Sequence, residues 1–116
     1  MDYQIAIPSY KRPETIKNKT LKLLMDHNID KNKITIFVAD NDEEKIYKQS
    51  LSNEYKIVVG VHTIGNQRNF IERYYNENTK VVMFDDDLDG VFIKNENNLD
   101  PIDNIENDLI INGFNE

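Results

Sequence analysis

The chain has 116 residues, no cysteine, and 21 acidic against 14 basic side chains, for a formal net charge of -7. That length holds one domain with a modest core and leaves no room for two independently folded lobes, so residues 1–116 are read as a single domain. Lack of cysteine excludes a disulfide framework and thiolate metal sites, and the acidic balance argues against direct nucleic-acid binding by this chain alone.

The amino terminus, MDYQIAIPSY, lacks a basic segment followed by a long apolar one. No apolar run approaches the roughly 20 residues of a membrane span, so no membrane partner is expected and the cytosol is the default compartment. Tyr3 to Ile7 is short and apolar and stops at Pro8, as a strand entering a loop does, and PSYKRPE is that loop. Pro13 suits the first turn of a helix, and Ile16, Thr20, Leu23, Leu24 and His27 follow at helical spacing until Asn28 and DKNK end it. ITIFVA, Ile34 to Ala39, is the continuous apolar run of a parallel strand covered on both faces, and it ends at Asp40.

EEKIYKQSL then reads as a short helix and Lys56 to Val61 as a third strand. Gly65 and Asn66 mark a turn before QRNFIERYY, where Phe70, Ile71, Tyr74 and Tyr75 share one helical face. Lys80 to Phe84 is the fourth apolar strand. Beyond it, Gly90 to Lys94 reads as a fifth strand, NENNLDP as loop, and Ile102 to Phe114 as a helix carrying Ile105, Leu109 and Ile110. Strands alternating with helices imply βαβ units, hence a Rossmann-like α/β/α sandwich with a mostly parallel sheet. In such sheets ligands gather at the carboxyl ends of the strands, and here those ends read PSYKRP, ADND, VHTIGNQRN and FDDDLDG.

Asp85, Asp86, Asp87 and Asp89 place four carboxylates within five positions after an apolar strand. Like charges so close repel unless a cation or hydrogen-bond donors compensate, and a divalent metal is the first suspect. Three readings compete. Asp85, Asp87, Asp89, Gly90 and Glu96 match the spacing of an EF-hand calcium loop, but that loop needs a helix on each side. A solvated turn at Asp89 and Gly90 is the plainest alternative. The third is a metal-diphosphate site, with Mg²⁺ or Mn²⁺ held by one or two carboxylates and by the phosphates of a nucleotide.

IAIPSYKRP, IFVADND, GNQRN and VVMFDDDLDG, in that order and at those strand ends, resemble the nucleotide-binding half of the GT-A glycosyltransferases, whose D-x-D motif binds a metal and a sugar nucleotide. Within that superfamily the set is most similar to small viral or phage-type members, including those that modify phage DNA bases; a viral chain would work in the host cytoplasm. The resemblance implies a nucleotide-sugar donor, usually a UDP-sugar, along Pro8, Ser9, Tyr10 and Arg12. Arg12 would meet the diphosphate and Tyr10 the base or ribose. Asp40 would bond the base, although an Asp there caps the next helix equally well.

By the same resemblance Arg68 would reach back to the nucleotide, against an alternative ion pair with Glu72 four positions on. Asp85 and Asp87 map onto the two ends of D-x-D, Asp87 for the metal and Asp85 for metal or ribose, while of Asp86 and Asp89 one would face the sugar and the other only shape the turn. Complete members carry a further half with the acceptor site and the catalytic base, so transfer is expected to need residues beyond this chain. Fragment, split-enzyme partner and non-catalytic binder all stay open, as do the acceptor and the catalytic residues. His27 is read as partly packed or solvent-facing, and His62, near the strand ends, as structural. Two rivals remain: a Ca²⁺-binding regulatory module, and a non-catalytic interaction domain whose exposed sheet edge invites self-association.

Overall fold

The computed structural model describes residues 3–88, 92–95 and 98–101, the last two segments as backbone only. Its main sheet has four strands, all parallel: β1 (Tyr3–Pro8), β2 (Ile34–Val38), β3 (Lys56–Val59) and β4 (Lys80–Met83), in the order β3-β2-β1-β4. The register runs Ile5 to Ile34 and Ile7 to Ile36 on one side of β1, and Tyr3 to Lys80 and Ile5 to Val82 on the other. With its helices this makes a Rossmann-like α/β fold.

Side-chain alternation along the strands builds two cores. Ile5, Ile7, Ile36 and Val38 face α1 (Pro13–Asn18), α2 (Thr20–Asp26) and α3 (Asn41–Ser50), packing on Ile16, Leu21, Leu24, Tyr47 and Leu51. Ala6 and Phe37 face the opposite way onto Ile71 of α4 (Ile64–Tyr74), with Phe70, Tyr75, Val81 and Met83 around them. Phe37 meets the Tyr74 ring edge to face at 5.3 Å, a favourable aromatic geometry. Full burial of β2 on both faces explains why ITIFVA shows no polar alternation.

The change of helix face follows from handedness. β1 to β2 to β3 steps one way across the sheet, and the return to β4 steps the other way, so right-handed crossovers put α4 on the opposite side. The strand order therefore reverses between β1 and β4, and the crevice at such a reversal is where doubly wound sheets bind ligands.

Three expectations are corrected. The first helix is two, because the backbone at Lys19 (φ -115°, ψ -87°) leaves the helical region; Leu21 thereby turns inward and Leu23 is only half buried. α4 starts at Ile64, so Gly65 and Asn66 lie in its first turn instead of before it. The fifth strand, β5 (Phe92–Asn95), does not extend the sheet but pairs antiparallel with β6 (Asn98–Pro101), inside the stretch read as loop. Asp89, Gly90, Glu96 and the expected helix Ile102 to Phe114 fall outside the described residues.

Candidate active site

A cleft of about 580 Å³ opens at the carboxyl ends of the strands, a volume suited to a small-molecule ligand. It is lined by the loops after β1 (Pro8, Ser9, Tyr10, Arg12), β3 (Val61, His62, Thr63, Ile64) and β4 (Asp85, Asp86, Asp87), together with Ala39 and Gln67.

The acidic residues divide by environment. Asp86 is 3% exposed, and its two oxygens meet Ser9 Oγ at 2.7 Å, Arg12 Nε at 3.2 Å and Arg12 Nη2. The proton count orients this network. Ser9 has one hydroxyl proton and gives it to Asp86, so the 2.6 Å contact with Tyr47 must be a bond that Tyr47 donates, and Tyr47 in turn accepts from Arg12 N–H at 3.0 Å. Asp86, by hydrogen bond and then by charge, raises the guanidinium of Arg12 further above its ordinary value. Burial pushes the Tyr47 phenol up. Glu43, also buried, accepts from Lys11 N–H at 2.5 Å and fastens the same loop to α3.

Asp85 and Asp87, by contrast, keep 64% and 49% of their side chains exposed on the cleft. Each lies 3.8 Å from one guanidinium, Arg68 Nη2 and Arg12 Nη1 respectively, which is loose pairing at that exposure. Thr20 fixes their loop: its buried hydroxyl donates to Asp85 O at 2.6 Å and accepts from Leu88 N–H at 3.0 Å.

Of the residues singled out in the sequence, Pro8, Ser9, Tyr10, Arg12, Asp85, Asp86 and Asp87 share the cleft. Asp40 and Arg68 are not among its lining residues but pair with residues that are. Asp40 caps α3, accepting from Glu43 N–H at 2.9 Å, and its other oxygen lies 3.2 Å from His62 Nε2. Arg68 reaches Asp85, and no pairing with Glu72 accompanies it among the described ion pairs. His62 and Gln67 were missed as site residues. Gln67 Oε1 accepts from Val61 N–H at 3.1 Å and its Nε2 donates to Val38 O at 3.0 Å, tying the ends of β2 and β3 together. A side chain at Gly60 would fall on that amide, which is why glycine precedes the loop. Thr63 sits at φ 69°, ψ 142°, a conformation that costs a β-branched residue about 1–3 kcal/mol and that clusters at functional sites.

Residues 3–108 match the profile of the TET-associated glycosyltransferase family. The chain belongs to this family. Its general activity is thus the transfer of a glycosyl group from a donor to an acceptor. No curated protein and no solved structure matches the chain. No helix among the described residues is long and apolar enough to cross a membrane.

The carboxylates on the cleft bear on whether a divalent cation fits there. No group of three or more His, Asp or Glu side chains suited to a metal forms among the described residues. Mg²⁺ and Mn²⁺ sites of the nucleotide type need only one or two carboxylates, the rest of the shell being water and phosphate oxygens. Asp85 and Asp87 meet that requirement and Asp86, locked to Arg12 and Ser9, does not. Three carboxylates against two guanidiniums leave the region negative, a setting that favours a dication over a bare anion. The loop is entered by strand β4, where an EF-hand would have a helix.

Proposed function

We propose that the cleft is the donor site of a GT-A-type glycosyltransferase, taking a nucleoside-diphosphate sugar, with a UDP-sugar as the first to try and Mg²⁺ or Mn²⁺ held by Asp85 and Asp87. The observation that carries this reading is the split of the acidic cluster: two exposed carboxylates on the cleft flank a third that is buried and locked to Arg12.

Cleavage of the sugar bond develops negative charge on the leaving diphosphate, and charges fixed beforehand stabilise it more in the transition state than in the ground state. Arg12 supplies such a charge. Its Nε and Nη2 are committed to Asp86, while Nη1 points toward Asp87 and remains the edge offered to a phosphate. When bound, the metal supplies Lewis-acid stabilisation of the same oxygens. Asp86 acts through Arg12, and Tyr10 packs against the nucleoside. The three carboxylates lining the cleft all serve the donor on this reading, and none of them is assigned as the base for the acceptor hydroxyl.

Calorimetric titration with UDP and UDP-glucose, with and without Mn²⁺, tests the proposal. Affinity is expected to rise with Mn²⁺, and Asp87→Asn to remove at least about tenfold of that gain, a loss of ~1.4 kcal/mol. Ca²⁺ binding without any nucleotide binding would instead favour the regulatory-module reading.

A further inference from the structure

The cleft has an apolar wall that its polar chemistry does not use. Tyr10, Val61 and Ile64 are 48%, 37% and 58% exposed, and all three line the cleft. The Tyr10 ring meets the His62 ring edge to face, 5.9 Å between centroids. Exposed apolar side chains gathered at one cleft suit a flat, partly apolar ligand group. Asp40, the expected base contact, is not among the lining residues; His62 stands between it and the cleft.

We infer that His62 contacts the nucleobase and that Asp40 is a positioning residue, holding the imidazole in the tautomer that accepts from an imide N–H, the group uracil carries. This rests on the donor-site reading above. His62 Nε2 lies 3.2 Å from Asp40 Oδ2, a pairing that favours the proton on Nε2 and, in the neutral ring, leaves Nδ1 as an acceptor. Uracil N3–H complements that acceptor, whereas cytosine presents an acceptor at the same atom and would leave two acceptors opposed.

UDP and CDP differ at this atom, and Mn²⁺ with inorganic pyrophosphate probes the rest of the site without a base. By calorimetry with Mn²⁺, the protein is expected to prefer UDP to CDP by about threefold or more, since CDP loses the hydrogen bond to His62 and water can replace part of it at a half-exposed side chain. His62→Ala, at a side chain 58% exposed, should remove the preference and leave pyrophosphate binding unchanged. Asp40→Asn keeps an oxygen for the α3 cap and turns an amide N–H toward Nε2, which moves the ring proton to Nδ1; the preference should then invert toward CDP. Persistence of the wild-type UDP to CDP ratio in either variant overturns the inference. Wild-type protein that binds pyrophosphate but does not distinguish the bases overturns it while sparing the donor site. Failure to bind either nucleotides or pyrophosphate removes both.

Discussion

Ser9 and Asp86 lie 77 positions apart in sequence, and Ser9 Oγ donates to Asp86 Oδ2 at 2.7 Å. This bond joins the loop after β1 to the loop after β4 across the point where the strand order reverses. The junction is built around a buried carboxylate, so its stability depends on every donor being present. Arg12→Ala removes the charged donor and is expected to cost about 1–3 kcal/mol, toward the lower end because Arg12 is half exposed and water can replace part of it. Urea denaturation of Arg12→Ala and Ser9→Ala checks this; an unchanged midpoint in both would show that Asp86 needs neither partner.

Thr20 offers a cleaner separation of structure from binding. Thr20→Val keeps the shape of the side chain but removes both bonds to the acidic loop, at Asp85 O and Leu88 N. The expected loss is about 1 kcal/mol of stability, since two part-buried backbone groups lose their partner and water can reach them in part. Mn²⁺-dependent UDP affinity should fall as well, although Thr20 is not among the residues lining the cleft. Stability is read from thermal unfolding and affinity from calorimetry on the same samples.

Gly60 and Gln67 make a matched pair. Gly60→Ala forces the Gln67 amide out of its seat, and overpacking of this kind costs about 1–3 kcal/mol. Gln67→Ala frees the space but leaves Val61 N–H unpaired. The double variant should be less destabilised than the sum of the two single ones, because Gly60→Ala does no harm once the amide is gone. A double-mutant cycle in urea measures this, and strict additivity would contradict it.

Much of the architecture was legible, and the reasons are local. ITIFVA announces a strand because both of its faces are covered, KVVMF because its apolar run packs in part on each core, and Pro8 and Asp40 end theirs by backbone chemistry. The cleft was legible because its polar residues occupy strand ends. The roles of Thr20, Gln67 and His62 were not. Each makes contacts far along the chain, to Leu88, Val38 and Asp40, and helical or strand periodicity carries no trace of such pairings. The antiparallel pairing of Phe92–Asn95 with Asn98–Pro101 was hidden for a similar reason: NENNLDP has the composition of a loop.

High pH should weaken the fold. Tyr47, Tyr55 and Tyr75 all have phenols raised above 10.0, with burial the largest cause in each. In the fold they stay protonated where the unfolded chain has lost the proton, so above that value the unfolded state binds fewer protons and stability falls as pH rises. Their contribution is complete below 10.0 and is lost as pH climbs through the raised folded values. Urea midpoints should hold steady between about pH 8 and 9.5 and drop above about pH 10. Tyr47→Phe should show a shallower drop from a lower starting stability.

On the donor-site proposal, Asp85 and Asp87 hold a metal against a nucleotide in this cleft. Mn²⁺ is paramagnetic and broadens nearby amide resonances, so a nitrogen-proton correlation spectrum locates it directly. With UDP present, substoichiometric Mn²⁺ is expected to broaden residues 85–88, 9–12 and 62–68 selectively, and Asp87→Asn to abolish the effect. Broadening that centres elsewhere, or that is indifferent to UDP and to Asp87→Asn, would contradict the claim.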